Sequence, residues 1–303
     1  MATLDELQDR IESAEDLQSI VRVMKSLSAV SISQYQQAGR RLRVYREVVE
    51  RALQAMVMEG EVRLEAPEAE PARTGLVVMG SDRGLCGRFN EIVVRRTQEL
   101  IGERGLPRTP PLMVVGGRGA QRLDAAGLAP GTLFFQPGSV EGLSRTAESI
   151  LVEIDRWRAE RGVERVILVY NEEGRQGRAE PRVETLLPID RDEIARLAAR
   201  DWPTRGLPMV EGPHPAAFSA LLRERLFIAL MRAGALSLAA EHATRLSAMQ
   251  AAEKNITERL EDLGGQYRRE RQDQITLELM DIVSAYESVK GDEDEDEKAA
   301  GLA

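Results

Sequence analysis

Proline is missing from both ends of this sequence. All thirteen prolines lie between Pro67 and Pro215, so the first 66 residues and the last 88 contain none. A proline inside a helix removes a hydrogen bond and costs roughly 3 kcal/mol. The two proline-free ends therefore predict two long, uninterrupted helices on either side of a compact middle region.

Other absences narrow the class of protein. A single cysteine, Cys86, excludes an intrachain disulfide and indicates a reducing compartment. The first residues lack the basic and apolar segments of a signal peptide, and we find no apolar run near the ~20 residues of a membrane span. We therefore expect any membrane association to depend on another protein.

The net charge of -9 is concentrated at the C-terminus, where residues 292–297 are all acidic. The rest of the chain is close to neutral, which argues against nucleic acid as the main partner. The basic patch at residues 40–46 is interpreted as the solvated or partner-facing side of a helix. We expect an acidic, disordered tail at residues 291–303.

Apolar residues at alternating spacings of three and four predict a coiled-coil helix within residues 1–60. Its second half carries a regular seam of Tyr35, Ala38, Leu42, Tyr45, Val49, Ala52 and Met56. Its first half continues the seam, with small shifts in register, through Leu4, Leu7, Ile11, Ala14, Leu17, Val21, Met24 and Leu27.

Similar spacing from Leu222 to Tyr267 predicts a second helix over residues 216–290. Two helices that leave one domain would pack antiparallel, and the second is the longer. From about Gln272 it has no partner within the chain. Residues 272–289, here called the tip segment, are apolar on nearly every side over roughly 25 Å. A helix of that kind is normally buried, so we expect another protein to cover it.

The middle region changes to short apolar runs, which predict strands at residues 76–79, 112–115, 133–135, 166–170 and 183–187. Helical stretches at 91–101, 120–126 and 143–161 separate the first four. The predicted fold class is α/β: a long antiparallel two-helix coiled coil plus a central Rossmann-like domain with a mostly parallel sheet. The domain is assigned to residues 74–201, between linkers at 61–73 and 202–215.

No catalytic pattern is found in the sequence. The glycine-containing loops at residues 80–87 and 116–119 follow strands but have neither the GxGxxG nor the Gly-Lys-Ser/Thr spacing, and they are interpreted as structural turns. His214 and His242 belong to no cluster with metal-ligand spacing, and Cys86 has no histidine nearby in sequence. We expect no catalytic residue, cofactor or metal site.

Several motifs nevertheless resemble one family, the gamma subunits of F-type ATP synthases. The resemblance covers essentially the whole chain. It rests on Ser81–Gly87 followed by Asn90, on Met24-Lys25 with Arg10-Ile11, Ser13, Ile20 and Arg22, on Glu241, Arg245, Ala248-Met249, Ala252 and Asn255, and on Arg271-Gln272, Ile275-Thr276, Glu278-Leu279 and Ile282-Val283-Ser284.

The resemblance implies a central-stalk rotor that transmits torque between a membrane ring of c subunits and a head of three alpha and three beta subunits. Ion translocation would be coupled to ATP synthesis or hydrolysis, with the nucleotide chemistry on beta. The middle domain would stand on the epsilon subunit and the c-ring, at the cytoplasmic face of a bacterial inner membrane.

Residue by residue, the resemblance implies three sets of positions. Contacts with beta are expected from Met24, Lys25, Arg271, Gln272, Thr276 and Glu278. An apolar sleeve of alpha and beta would hold Ile275, Leu279, Ile282, Val283 and Tyr286. A structural turn would use Ser81, Asp82, Arg83, Gly84 and Gly87.

The chain also departs from the family pattern. Residues 26–35 replace a basic, alanine-rich segment, Arg88-Phe89 replaces a small residue and Leu, and the acidic tail is extra. These departures resemble a divergent bacterial branch, such as the alternative sodium-type F-ATPases, and leave the coupling ion, proton or sodium, open.

Two other classes of function stay open from the residues alone. A coiled-coil scaffold outside any enzymatic complex predicts a stable homodimer. A small-molecule enzyme that uses the α/β domain predicts saturable ligand binding to residues 74–201, against which the loop spacings argue.

Overall fold

The computed structural model of the protein describes residues 3–58, 73–189, 191–206, 209 and 214–300, without the side chains of Gln176, Arg191, His214 and residues 285–300. The chain divides into two units, which are described separately. Unit 1 contains residues 1–24 and 249–303, and unit 2 contains residues 25–248.

The elements follow the order expected from the sequence, with two short additions: a 3-10 turn between the last two strands and a helix after the last strand. They are α1 (Leu4–Met58), β1 (Thr74–Met79), α2 (Phe89–Glu103), β2 (Leu112–Val115), α3 (Gly117–Ala125), β3 (Thr132–Phe134), α4 (Val140–Arg161), β4 (Arg165–Glu173), a 3-10 turn (Arg175–Gly177), β5 (Ala179–Leu187), α5 (Arg191–Ala198) and α6 (His214–Ala300).

Unit 1 is an antiparallel pair formed by the start of α1 and the later part of α6. The Tyr267 hydroxyl lies 3.3 Å from Gln8 Oε1, and Gln18 Nε2 donates to Thr257 Oγ1 at 3.1 Å. Leu7 and Leu263 are buried in the pair. The partner residue number falls along α6 as the number rises along α1, which is the antiparallel pairing predicted for two helices that leave one domain.

In unit 2 the sheet has the strand order β3-β2-β1-β4-β5. The first four strands are parallel, with Leu76 beside Leu112 on one side and beside Ile167 on the other. β5 pairs antiparallel with β4. The mostly parallel sheet is thus confirmed, and its one antiparallel strand follows from the short connection after β4, too short for a crossover helix.

Alternate residues of the central strands face two different layers. Val77 and Met79 pack with α4 and with Leu226 and Leu230 of α6. Leu76 and Val78 face α2 and α3 on the other side. β1 and β2 are therefore buried at every position, as expected for strands covered on both faces.

The two long helices also meet within unit 2. Tyr35 and Ala38 of α1 pack with Ala235, Leu238 and Ala239 of α6. Further along, Val49 and Leu53 of α1 are buried against Ile228. The predicted packing of the N- and C-terminal helices on each other is confirmed in this unit as well.

Four details differ from expectation. α5 was not predicted, because an eight-residue helix with two apolar residues and two alanines gives a weak periodic signal. Three residues assigned to the seam are exposed, namely Leu17 at 55%, Leu27 at 63% and Tyr45 at 44%. The Tyr45 hydroxyl donates to Glu224 at 2.7 Å instead. α6 continues to Ala300, into the segment predicted as a disordered tail. Residues 292–300 are Asp, Glu, Lys and Ala, and none of these breaks a helix as Gly or Pro does.

The fourth difference concerns membrane spans. Among the described residues, α6 contains a stretch long and apolar enough to cross a membrane, contrary to expectation. Of that stretch, 72% is buried inside the protein. Its apolar character is accounted for by packing against the sheet and α1.

Gly75 provides a test of the sheet packing. A Cβ atom at this position would lie 2.5 Å from Cζ3 of Trp157, whose ring is 1% exposed and cannot move aside. We expect Gly75→Ala to lower the free energy of unfolding by about 2 kcal/mol through overpacking. The measurement is urea unfolding of the full chain.

Gly102→Ala is the matched control, because no atom lies within 4 Å of its Cβ position. On a helix, this change should leave stability unchanged or raise it by up to about 1 kcal/mol. Equal effects at the two glycines would show that the contact with Trp157 is not restrictive.

Candidate functional site

The loop after β1, residues 80–88 and here called the signature loop, is held at the carboxyl edge of the sheet by Asp82. The Asp82 carboxylate accepts hydrogen bonds from the backbone N–H groups of Gly117 at 2.7 Å and Gln136 at 2.8 Å. The N–H group of Asp82 in turn donates to Gln136 Oε1 at 2.9 Å. One carboxylate thus joins the segments that follow β1, β2 and β3.

A second set of hydrogen bonds fixes the shape of the loop itself. Asn90 Oδ1 accepts from the Ser81 N–H at 2.9 Å, and Asn90 Nδ2 donates to Ser81 Oγ at 2.7 Å. Ser81 Oγ donates to the Arg83 carbonyl at 2.8 Å. Cys86 is buried beside them, and burial raises the pKa of its thiol, which favours the neutral, unreactive form.

Glycine is required where the two glycine-containing loops cross. A Cβ atom on Gly80 would lie 2.7 Å from the Gly119 Cα atom, and one on Gly119 would lie 2.8 Å from the Gly80 Cα atom. The N-terminal amides of α3 are used by Asp82 and by the Ser81 carbonyl. They are therefore occupied by protein groups, whereas a phosphate-binding loop leaves such amides for its ligand.

The loop is connected to α6 through four side chains, which we call the polar chain: Asp82, Gln136, Glu241 and Arg245. Gln136 Nε2 donates to the Gly80 carbonyl at 2.9 Å and to Glu241 Oε2 at 2.6 Å. Glu241 Oε1 accepts from Arg245 Nη2 at 2.6 Å. Arg245 Nη2 also lies 3.4 Å from the Gly84 carbonyl oxygen.

Glu241 and Arg245 are an almost completely buried ion pair, at 2% and 5% exposure. Burial raises the pKa of the Glu241 carboxyl, while Arg245 and Gln136 act in the opposite direction. Such pairs add little net stability, but removal of one partner leaves a buried charge uncompensated. Their effect is to fix how the signature loop sits on α6.

α1 joins this region through an aromatic stack. The rings of Tyr35 and His242 are 5.9 Å apart and 11° from parallel. His242 Nδ1 lies 3.4 Å from Arg245 Nη1, and since arginine can only donate, Nδ1 is the acceptor in a neutral ring. Burial, Arg245 and Arg83 lower the pKa of His242 to about 4.

Together these contacts connect the sheet edge, α6 and α1 by directional bonds. The arrangement can transmit a force between the domain and the helices, because its hydrogen bonds are buried or part-buried. Among the described residues, no group of three or more His, Cys, Asp and Glu side chains could hold a metal ion.

The predicted turn residues fall into different environments. Ser81 is buried and Asp82 half-buried, and both are used inside the protein as described above. Arg83 and Gly87 are exposed, and Gly84 is half-buried. The left-handed conformation of Gly87, with φ of 54°, favours glycine.

The other predicted site residues lie on the long helices. Met24 of unit 1 and Lys25 of unit 2 are half-buried. In unit 1, Arg271, Gln272, Thr276 and Glu278 are exposed on α6. Thr276 Oγ1 donates to the Gln272 carbonyl at 2.8 Å, a bond within the helix.

The tip segment is exposed over the part whose side chains are described. Every residue from 271 to 284 is exposed, including Ile275 at 48%, Leu279 at 57%, Ile282 at 66% and Val283 at 54%. Tyr286 lies outside the described side chains. Large apolar residues exposed in a row are typical of an interaction surface.

Sequence reasoning missed Gln136 and the Tyr35–His242 stack. Gln136 follows a three-residue edge strand and belongs to no motif. For His242, the sequence indicated only that it belongs to no cluster with metal-ligand spacing. A signal was available for the two residues of the stack, since Tyr35 occupies the seam of α1 and His242 directly follows Glu241 on α6.

The role of Asp82 can be tested by Asp82→Asn. The amide nitrogen would replace an oxygen that now accepts from Gly117 or Gln136, so two donors would face each other. We expect the free energy of unfolding to fall by about 1–3 kcal/mol. Asp124→Asn, at an exposed position of α3, is the control and should change it by less than about 0.5 kcal/mol. Similar values in urea unfolding for both variants would contradict the role.

The depressed pKa of His242 predicts a pH dependence of stability. The unfolded chain binds a proton at His242 near pH 6.5, whereas the folded chain binds it only near pH 4. Stability should therefore fall as the pH is lowered through this window, by about 2 kcal/mol once partial exposure of the ring is discounted. The raised pKa of Glu241 acts in the opposite sense.

His242→Phe isolates this contribution, because it keeps an aromatic ring against Tyr35 but cannot titrate. As the pH is lowered from 6.5 to 4, the free energy of unfolding of the wild type should fall relative to that of the variant. A difference that is constant with pH would refute the assignment.

Comparison with known proteins identifies the family. The family model described as ATP synthase matches residues 3–289. The chain is 33% identical over 303 residues to the ATP synthase gamma chain of an Anaeromyxobacter species and 31% identical over 305 residues to that of Geotalea uraniireducens. Each match covers 96% of this chain and 100% of the relative.

Solved structures agree in fold. The chain is similar to one from the Euglena gracilis mitochondrial ATP synthase (OSCP/F1/c-ring), with a TM-score of 0.64, 18% identity and 94% coverage of both chains. It is also similar to one from the central stalk/c-ring of the Tetrahymena thermophila enzyme, with a TM-score of 0.52, 24% identity and coverage of 77% of this chain and 99% of that one. The family match, the relatives and the fold agree over nearly the whole sequence, and the protein belongs to the ATP synthase gamma chain family.

Proposed function

We propose that this protein is the central-stalk rotor subunit of an F-type ATP synthase. It would transmit torque between a membrane c-ring and a head of alpha and beta subunits, and so couple ion translocation to ATP synthesis or hydrolysis. The observation that carries the proposal is the exposed tip segment, because a helix that continues past its partner with apolar side chains on its surface needs a protein sleeve.

A rotor must carry torque without separation of its helices. In unit 1, polar contacts accompany the apolar seam, including the ion pair of Arg22 with Glu253 at 3.5 Å. In unit 2, the polar chain and the Tyr35–His242 stack connect the sheet, α6 and α1. Directional contacts of this kind resist the sliding and rotation that an apolar seam alone would allow.

The contacts with the head are proposed from the exposed residues of unit 1. Ile275, Leu279, Ile282 and Val283, with Tyr286, would fill the apolar sleeve. Arg271, Gln272, Thr276 and Glu278 would contact beta just before and within it. Leu17, Ile20 and Val23 of α1 are 55–59% exposed as well, and Met24 and Lys25 follow them as the further proposed contacts with beta.

The remaining partners follow from the same assignment. The family membership and the relatives support association with the ATP synthase complex and, through it, a peripheral position at the membrane. We propose the epsilon subunit and the c-ring as neighbours of the α/β domain, at the cytoplasmic face of a bacterial inner membrane. A homodimeric scaffold and a small-molecule enzyme have no support in the comparisons.

Assembly tests the proposal directly. The chain would be co-expressed with the alpha and beta subunits of the same organism, and the purified complex would be analysed by native mass spectrometry. We expect one copy of this chain with three alpha and three beta subunits. A complex of three alpha and three beta subunits that never contains this chain would sink the proposal.

The tip segment can be tested by Ile282→Asp with Val283→Asp. Two carboxylates in an apolar sleeve would have to be desolvated without partners, so we expect at least a tenfold loss of complex assembly or of coupled ATP synthesis. Val152→Asp, at a 61% exposed apolar position of α4, is the control and should have little effect. Circular dichroism should show unchanged helix content in both variants, and full coupled activity in the tip variant would contradict the proposed contact.

A further inference from the structure

A charged cleft in unit 2 lies between α1, β5, α5 and α6, and the polar chain does not use it. Its volume is about 470 Å³, and five arginines and three glutamates line it. The arginines are Arg46, Arg196, Arg200, Arg225 and Arg232, and the glutamates are Glu50, Glu184 and Glu193. Its lining therefore carries two more positive than negative charges, in a chain whose net charge is -9.

All three glutamates are already ion-paired with arginines of the cleft. Glu50 bridges Arg46 Nε at 2.6 Å and Arg200 Nη1 at 2.8 Å. Glu193 accepts from Arg225 Nη2 at 2.7 Å, and Glu184 from Arg232 Nη2 at 2.9 Å. The positive charge in excess is thus not neutralised by any carboxylate of the lining.

Two of the arginines have donors that the protein leaves unused. Arg225 is 9% exposed, and its Nη1 atom is buried without a hydrogen-bond partner. Arg232 Nε is in the same condition. A buried donor on a charged group without an acceptor is energetically unfavourable, so an acceptor that reached either atom would remove an existing penalty.

Arg196 contributes a charge at the rim. Its Nε donates to the Asp192 carbonyl at 3.1 Å, and none of the ion pairs among the described residues of the cleft includes it. α5, the helix that sequence reasoning missed, holds both Glu193 and Arg196 in place. Its packing through buried Ile194 and Leu197 fixes one wall of the cleft.

We propose that this cleft binds a phosphate group. A phosphate brings up to two negative charges and several acceptor oxygens, which match the excess charge and the planar donor sets of arginine. The volume is within the range of small-molecule sites, which favours a small anion over a protein segment. Free inorganic phosphate and the phosphates of a nucleotide share this chemistry.

Binding would be measured on the full-length chain by isothermal titration calorimetry with inorganic phosphate, with ADP in a parallel arm, and with sodium chloride at the same ionic strength. We expect saturable phosphate binding and none of comparable strength for chloride. Tighter binding of ADP than of phosphate would identify a nucleotide as the source, and equal or weaker binding would identify the free ion.

Arg196→Gln is the test variant, because removal of the Arg196 guanidinium breaks none of the ion pairs described for the cleft. We expect it to weaken phosphate binding about tenfold, the equivalent of one charge-assisted hydrogen bond. Arg223→Gln is the matched control: it removes one charge from α6, where Arg223 pairs with Asp155 at 2.5 Å outside the cleft. It should leave the affinity unchanged.

Two results would overturn the proposal: absence of saturable phosphate binding to the wild-type chain, or equal weakening in both variants, which would indicate general charge screening. Thermal unfolding of each variant without phosphate checks that the fold is retained. The measurement needs no other subunit, so its outcome is independent of the rotor assignment.

Discussion

The packing of unit 2 depends on α6 being narrow enough to serve two neighbours at once. Ala233, Ala235 and Ala240 are fully buried, and Ala239 is almost so. Ala233 packs with the layer that covers the sheet, whereas Ala235 and Ala239 pack with Tyr35 and Ala38 of α1. A large side chain at any of these positions would force one neighbour away, because interiors tolerate little extra volume.

Because these alanines are small, each contact buries little apolar area. A surface of alanines also does little to fix the position of α6 along its neighbours. The polar chain supplies the missing specificity. Gln136 satisfies the Gly80 carbonyl and Glu241 together, and Arg245 completes the link to the signature loop. A buried ion pair of this kind contributes orientation more than stability, which suits a junction that must hold its geometry under load.

The sequence predicted the elements that depend on long or continuous patterns. The two helices followed from absent prolines and from the seam, and the strands from runs such as residues 76–79 and 112–115. Prediction from the sequence failed for an element too short to show a period and for residues that are brought together only by the folded sheet. α5 is too short for a clear period, and Gln136 acquires its role only because parallel strands bring the segments after β1 and β3 to one edge. The excess charge of the cleft likewise comes from residues of four elements.

The two regions that carry the proposed function follow opposite physical rules. In the polar chain, each of the four side chains has a hydrogen-bond partner inside the molecule, although the Nε atom of Arg245 is buried without one. The junction is therefore formed within the isolated chain. In the tip segment, Leu279, Ile282 and Val283 face solvent on a helix that has left its partner behind. Such exposure contributes nothing to the stability of the chain and favours aggregation. The proposed sleeve of alpha and beta subunits would account for this exposure, because residues 271–284 are exposed on every side of the helix and would need a surface that encloses it.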